Sequence, residues 1–179
     1  MLFRSACAEL FGVMDQALAN TLDYLGTRVQ FGKPIGSFQA LQHRSVDLFI
    51  QKELAIGAVA DAVRALDAGV GERERAVAVS RAKSRCADAA LLVTRECIKL
   101  HGAIGFADEC DIGLFLQRAL VLSAWLGNAA AHRRRFQQLA PQVPPVVRTT
   151  AAALPESPPG TDWNAMSDEA FRNEVRSYF

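Results

Sequence analysis

The chain has 179 residues, of which 50% are hydrophobic, and a formal net charge of +1 at pH 7. A chain of this length can bury one hydrophobic core and carry a small appendage. The nearly balanced charge excludes a general electrostatic attraction to nucleic acid or to an anionic membrane surface. No apolar run approaches the roughly 18 residues of a membrane span. We therefore expect a cytoplasmic protein with neither a nucleic-acid nor a membrane partner.

Apolar residues recur at helical spacing from about residue 6 to residue 27 and predict a first helix. They form two neighbouring stripes, one of Phe11, Leu18, Leu22 and Leu25 and the other of Leu10, Met14, Ala17 and Thr21. An apolar face of this width is typical of a helix inside a bundle.

Three more helical segments are predicted at about residues 37–68, 72–100 and 111–139, with a break at Gly127 in the last. The third helix has the clearest period, carried by Val79, Ala82, Cys86, Ala90, Val93, Cys97 and Leu100. Its many alanines would let it pack tightly against the second helix. Because no run has a period of two residues, the sequence predicts an all-α fold, an antiparallel up-and-down helical bundle without strands.

The cysteines are predicted to be buried, reduced thiols. They are Cys7, Cys86, Cys97 and Cys110. No pair has the Cys-x-x-Cys spacing, and no histidine stands at a metal-ligand interval from any of them. Free thiols are typical of a cytosolic protein, and the sequence predicts no metal site.

The segment from Arg28 to Gln39 departs from the helical pattern. Two glycines and a proline within five residues break any helix. Arg28 and Lys33 bring cationic donors to the same turn as the flat face of Phe31, and a helix start at Ser37 would add free backbone N–H groups. The combination is suited to an anionic, aromatic ligand. The alternative is a helix hairpin that has a basic turn and no ligand.

A second glycine-punctuated loop, residues 101–109, follows the third helix. Without a ligand, this loop would be a glycine stop before the next helix. His101, at the helix end, is expected to cap backbone carbonyls rather than to take part in chemistry.

With Tyr24 before it, the Arg28–Gln39 segment resembles the flavin-binding segment of the acyl-CoA dehydrogenase family in the type and spacing of its twelve residues. The second loop resembles the family signature Gln-x-x-Gly-Gly-x-Gly-Phe, with Lys99 in place of Gln and Ala103 in place of the second Gly. The resemblance covers residues 1–140 and implies the family's C-terminal helical domain. The FAD-contacting residues that it implies are Arg28, Gln30, Phe31, Gln39, Lys99, Gly102 and Ala103.

In the family these residues contact the FAD of a neighbouring subunit. The resemblance therefore implies either a homo-oligomer or a heterotetramer with a catalytic acyl-CoA dehydrogenase subunit. Because Lys99 offers a single point charge and Ala103 adds a methyl group where backbone must approach closely, contact through the second loop is expected to be weaker.

The resemblance also implies dehydrogenation of an acyl-CoA thioester to trans-2-enoyl-CoA, with a glutamate as the base that removes the α-proton. The family's two base positions align with Leu126 and with a position near Leu2, and neither is a carboxylate. Glu9 and Glu109 match no base position, so no catalytic residue is predicted. Two hypotheses follow: a part of an FAD-dependent dehydrogenase, or a non-catalytic bundle that completes the cofactor site of a partner dehydrogenase in a heterotetramer. The acyl group, fatty or steroid-derived, is left open.

The composition changes after the bundle. Residues 141–162 contain six of the seven prolines and are predicted to form a linker. Residues 163–179 are predicted to form an amphipathic helix with Ser167 as its N-cap. They resemble the opening helix of a second acyl-CoA dehydrogenase N-terminal domain, which predicts that the chain is a fragment of a fusion or of two joined modules.

Overall fold

The computed structural model describes residues 2–140 and Ser167, with side chains described from Ser5 onward. These residues contain five α-helices: α1 (Leu2–Thr27), α2 (Gln39–Asp67), α3 (Glu72–His101), α4 (Ile112–Ala124) and α5 (Ala129–Leu139). Two 3₁₀ turns, Ile35–Ser37 and Gly102–Phe106, lie beside them. The all-α prediction is confirmed. The linker and tail helix predicted for residues 141–179 lie outside the described part of the chain.

The prediction that the bundle contains no strands is wrong at one place. Strand β1 (Val29–Gln30) pairs antiparallel with β2 (Lys33–Pro34) between α1 and α2. The two turn residues between the strands, Phe31 and Gly32, have φ angles of 54° and 78°. Positive φ at both positions is the geometry of a type I′ hairpin turn. Strands of two residues are too short to give a period-two signal, so the sequence pattern could not reveal them.

The predicted start of the second helix at Ser37 is also wrong by two residues. Ser37 ends a 3₁₀ turn, and its hydroxyl donates to the Pro34 carbonyl at 2.7 Å. Phe38 occupies the N-cap position of α2 and makes no side-chain capping bond. The helix therefore begins at Gln39, and its first N–H groups are not capped by the serine.

The core forms around α3, which packs against α1, α2, α4 and α5. One predicted stripe of α1, comprising Leu10, Met14, Ala17 and Thr21, is fully buried, as expected for a bundle-facing surface. In the other stripe, Leu22 is 47% exposed, so its predicted place in the interior is wrong. Of the cysteines, Cys110 is only half-buried, which corrects the prediction for that thiol.

The two motif-bearing segments lie at the same end of the bundle. The chain reverses at the hairpin and again between α2 and α3, so α1 and α3 run in the same direction. Tyr24, near the end of α1, stacks on His101, the last residue of α3, with ring centroids 4.5 Å apart. The Nδ1–H of His101 donates to the Cys97 carbonyl at 2.8 Å, which confirms its predicted capping role.

The predicted break at Gly127 is confirmed. Within the described residues, the stretch Ile112–Leu139 is long enough to cross a membrane and contains an 18-residue window with a mean hydropathy of 1.2, which is weak evidence because core helices of soluble proteins give the same values. The structure divides this stretch into α4, with 13 residues, and α5, with 11. Each helix is shorter than the roughly 20 residues that a membrane crossing requires.

Candidate cofactor-binding surface

Arg28 presents its guanidinium to solvent at the base of the hairpin. Its backbone is fixed on both sides, since its N–H donates to the Tyr24 carbonyl and its carbonyl accepts from Ile35, both at 2.8 Å. Its side chain is exposed and forms no hydrogen bond or ion pair with the described residues. A planar guanidinium held on a fixed backbone can bind phosphate oxygens through two parallel hydrogen bonds.

Phe31, at the tip of the hairpin, is 91% exposed. Its ring meets Phe38 edge-on with centroids 6.1 Å apart, and the Lys33 ammonium lies 4.4 Å from the centre of the Phe38 ring. A bulky residue with positive φ is uncommon and costs conformational energy. The hairpin therefore displays an aromatic face to solvent in a strained conformation that the backbone pairing maintains.

Gly36 lets the hairpin dock on α1. A Cβ at this position would lie 2.9 Å from the Leu25 carbonyl oxygen, closer than side chains normally approach backbone. The bare backbone of Gly36 therefore sets the distance between the hairpin and the end of α1, and with it the place of Arg28. Gln39, on the first turn of α2, is exposed beside this segment.

The second loop is anchored by a similar close approach. Gly105 is buried, and a Cβ there would lie 2.5 Å from the Ile98 carbonyl oxygen. Gly102 ends α3 with a φ of 69°, with open space where a Cβ would be. Ala103 is exposed. At Gly102 and Ala103 the loop thus presents backbone and one methyl group to solvent, beside the exposed side chains of Ile104 and Phe106, at the same end of the bundle as the hairpin.

The charge of Lys99 is already paired within the chain. Its ammonium lies 2.5 Å from Glu96, whose other carboxylate oxygen lies 2.8 Å from the Arg44 guanidinium. These contacts join the start of α2 to the end of α3. An anion approaching Lys99 must compete with Glu96, whereas Arg28 has no such competitor among the described residues.

The ion pairs of Glu96 with Lys99 and Arg44 should contribute to the stability of the fold in a pH-dependent way. Hydrogen bonding from Lys99, aided by the charges of Lys99 and Arg44, holds the pKa of Glu96 below its ordinary value despite partial burial. A carboxyl with a depressed folded pKa stabilises the fold above its unfolded pKa, about 4.3, and loses that contribution as pH falls through the folded value. We expect Glu96→Gln to be less stable than wild type at pH 7, and the difference to narrow below about pH 4.3.

Urea unfolding at pH 7, 4 and 3 measures this difference. Asp88→Asn is the control, because Asp88 pairs with Arg133 at an exposed site and such pairs contribute at most about 1 kcal/mol. A Glu96→Gln difference that stays constant or widens on acidification would contradict the prediction.

Residues 4–139 match the family model described as acyl-CoA dehydrogenase, C-terminal domain. The chain belongs to the acyl-CoA dehydrogenase family. The match covers both predicted motifs and all five helices except the first two residues of α1, so the family resemblance inferred from those motifs is confirmed.

Named relatives agree with this family. Acyl-CoA dehydrogenase FadE34 of Mycobacterium tuberculosis is 38% identical over 132 residues, which are 74% of this chain and 18% of FadE34. A solved variant of the Tcur3481-Tcur3483 steroid ACAD is 31% identical with a TM-score of 0.72, over 78% of this chain and 38% of that one. The ChsE4-ChsE5 complex from Mycobacterium tuberculosis is 26% identical with a TM-score of 0.72, over 79% and 38%. The chain spans less than two fifths of the length of each of these three proteins.

Acyl-CoA dehydrogenases use FAD, and the residues at this end of the bundle fit one part of it. The free guanidinium of Arg28, the exposed Phe31 ring and the open backbone at Gly102 are suited to a dinucleotide that carries phosphates and an aromatic ring system. Lys99 fits less well because Glu96 neutralises it. Contact between FAD and the seven residues implied by the family motifs remains a prediction.

Of the two positions that the sequence resemblance aligns with the family's base, the structure describes the side chain at one. Leu126 lies between α4 and α5 with a φ of 62°, and its side chain is 42% exposed. Leu2 begins α1, and its side chain is outside the described part. The Glu9 carboxylate accepts from Nε of Arg118 at 2.6 Å, and Glu109 is exposed. Among the described residues, no group of three or more His, Cys, Asp or Glu is arranged to hold a metal.

One buried residue was missed by the sequence analysis. Lys83 is fully buried, and its ammonium donates to the carbonyls of Leu122 at 2.9 Å and Ser123 at 3.2 Å, at the end of α4. Burial lowers its pKa, while the nearby Cys7 and Cys86 thiols oppose the shift. A signal was present, because Lys83 lies one turn from Val79 and Cys86 on the most regular apolar stripe of the chain.

Proposed function

We propose that this chain acts in the cytoplasm as the C-terminal helical part of an FAD-dependent acyl-CoA dehydrogenase, where it supplies a subunit interface and cofactor contacts. The complete enzyme would convert an acyl-CoA thioester, with a fatty or steroid-derived acyl group, to trans-2-enoyl-CoA. FAD, when bound, supplies the hydride acceptor. The single observation that carries the proposal is the exposed Arg28 guanidinium, which has no partner among the described residues and stands on a fixed hairpin at the same end of the bundle as the second family loop.

The division of roles follows from the contacts. Arg28 would hold the phosphates, and Gln39 would add an amide at the start of α2. The exposed Phe31 ring would cover part of the cofactor and exclude water from it. Because these groups all lie on one open end of the bundle, they form only part of a site, and the remaining contacts would come from a neighbouring subunit.

A second candidate function is a non-catalytic subunit that completes the cofactor site of a partner dehydrogenase in a heterotetramer. The observation that favours it is Leu126, an apolar side chain at a position that aligns with the family's base. The similarity to a complex of two named components, ChsE4-ChsE5, is consistent with it. The DNA on both sides of this reading frame separates the two: an in-frame upstream β-domain supports an enzyme part, and its absence supports a separate subunit.

The test of the cofactor contacts is FAD retention by the assembly that contains this chain. We expect Arg28→Ala to weaken retention at least about tenfold, or about 1.4 kcal/mol, because two charged hydrogen bonds to phosphate are lost. Lys99→Ala should weaken it less, since Glu96 already holds that ammonium. FAD titrations of the co-purified complex and of the chain alone measure both effects.

Arg64→Ala is the matched control, because Arg64 is also exposed but lies at the far end of α2, paired with Asp61. It should retain FAD like the wild type. An Arg28→Ala complex that keeps its flavin unchanged, or tight one-to-one binding by the isolated monomer, would refute the proposed role of the hairpin.

A further inference from the structure

The turn between α4 and α5, residues Trp125–Asn128, is held from its α4 side by a buried lysine. Lys83 comes from α3, is fully buried, and donates to the carbonyls of Leu122 and Ser123. The last carbonyls of a helix have no partner within the helix and carry its partial negative charge. An ammonium inside the bundle is costly to bury, so its position at these carbonyls points to a specific task.

From the α5 side, the turn is held by His132, which is 8% exposed. The Nε2–H of His132 donates to the Leu126 carbonyl at 3.0 Å. A carbonyl can only accept, so the neutral ring carries its proton on Nε2. Its Nδ1 is buried without a hydrogen-bond partner among the described residues, and a proton there would have no acceptor.

The charges around His132 agree with this assignment. Burial lowers the pKa of His132, the positive charges of Lys83 and Arg135 lower it further, and only the bond to Leu126 opposes them. The ring therefore remains a neutral Nε2–H donor at neutral pH. The charge of Lys83 thus affects the pKa of His132, and this effect can be measured to test whether the two residues act together.

The backbone of the turn that Lys83 and His132 hold is strained. Leu126 has a φ of 62° and Gly127 a φ of 99°, and a left-handed leucine persists only where its surroundings fix it. A Cβ at Gly127 would lie 3.2 Å from Nε2 of His132, so the ring packs directly on the turn. Asn128 completes the turn by capping α5 through the Ala131 N–H at 2.9 Å.

We propose that Lys83 and His132 are a pair of positioning residues that hold the α4–α5 turn and thereby fix the direction in which residue 126 leaves the bundle. Lys83 holds the carbonyls that enter the turn, and His132 holds the carbonyl at its left-handed residue. This role depends on contacts within the chain and stands independently of the FAD proposal. The backbone at residue 126 is then held in one conformation, whatever side chain the residue carries.

Hydrogen exchange of the turn amides tests the pair in the full chain. The Trp125 N–H bonds to Val121 and the Gly127 N–H to Ala124, at 3.0 and 3.2 Å. In Lys83→Met and in His132→Leu, we expect both amides to exchange at least about tenfold faster relative to the core amide of Val93, because the turn opens locally. His132→Gln should stay within about threefold of wild type, since its amide N–H can replace the Nε2–H donor.

The matched control for the lysine is Lys52→Met, which removes a mostly buried ammonium paired with Asp15 and should leave the two turn amides unchanged. Equal acceleration of the turn amides and of Val93 would refute the proposal, and so would failure of glutamine to rescue position 132. If Lys83→Met does not fold, the two His132 variants decide the result alone.

A spectroscopic measurement tests the coupling. Titration of His132 by NMR should give a pKa below the ordinary value in wild type and a higher pKa in Lys83→Met, because one opposing charge is removed. The Nε2–H tautomer should persist in both. An unchanged pKa in Lys83→Met, or a ring protonated on Nδ1, would overturn the paired role.

Discussion

Gly105→Ala is expected to lower the free energy of unfolding by about 2–3 kcal/mol, as overpacking of a rigid site does. The added methyl group would lie 2.5 Å from the Ile98 carbonyl oxygen and 3.0 Å from Cβ of His101. Both belong to the last turns of α3, so the 3₁₀ turn Gly102–Phe106 must move away from the bundle. The second candidate FAD contact would move with it. Urea unfolding followed by circular dichroism measures the change.

Two other glycines provide controls for this prediction. Gly12 and Gly57 lie within α1 and α2, and a Cβ at either meets no atom within 4 Å. Replacing either with alanine should stabilise the chain by about 0.5–1 kcal/mol, because alanine favours the helix. The prediction is wrong if Gly105→Ala is as stable as either control.

The helices were predictable because their burial is periodic. The spacing of Leu10, Met14, Ala17 and Thr21 follows directly from packing one face of α1 against the bundle. Leu22 fits the same period, yet the described residues leave its side chain 47% exposed. Periodicity gives the width of an apolar face, but it does not tell which part of that face other helices cover.

The ends of elements were harder to predict. The sequence predicted a helix start at Ser37, but Ser37 donates to Pro34 and leaves the cap position to Phe38. The hairpin at Phe31 depends on two consecutive positive φ angles, which for phenylalanine no propensity favours. Such local geometry is set by docking on α1 through Gly36, a tertiary contact that the sequence pattern does not record.

The family motifs named the candidate residues but not their electrostatics. The shared position of the two segments at one end of the bundle, where Tyr24 stacks on His101, became visible only in the structure. The pairing of Lys99 with Glu96 was not foreseen, although they are three residues apart on one helix, a spacing at which side chains meet. Lys83 was missed because a lysine is ordinarily assigned to the surface.

The purified 179-residue chain is expected to show no acyl-CoA dehydrogenase turnover, with or without added FAD. General-base catalysis contributes about 10²- to 10⁴-fold, and position 126 carries a leucine. Glu9 is a poor substitute, because it matches no base position of the family and Arg118 holds its carboxylate at 2.6 Å. Glu109 lies exposed in the second loop and also matches no base position of the family.

Dye reduction with a series of acyl-CoA thioesters measures turnover. Activity of the isolated chain that disappears in Glu9→Gln or Glu109→Gln would refute the prediction and identify the base.

The variant Leu126→Glu tests whether a carboxylate at position 126 can act as the base, since the α4–α5 turn already fixes the backbone at that position. The variant chain alone should remain inactive, because the FAD contacts proposed for this chain are too few to bind the flavin without a neighbouring subunit. If residue 126 of this chain faces the substrate in the assembled complex, the variant should raise turnover at least about a hundredfold, the lower range for a positioned base.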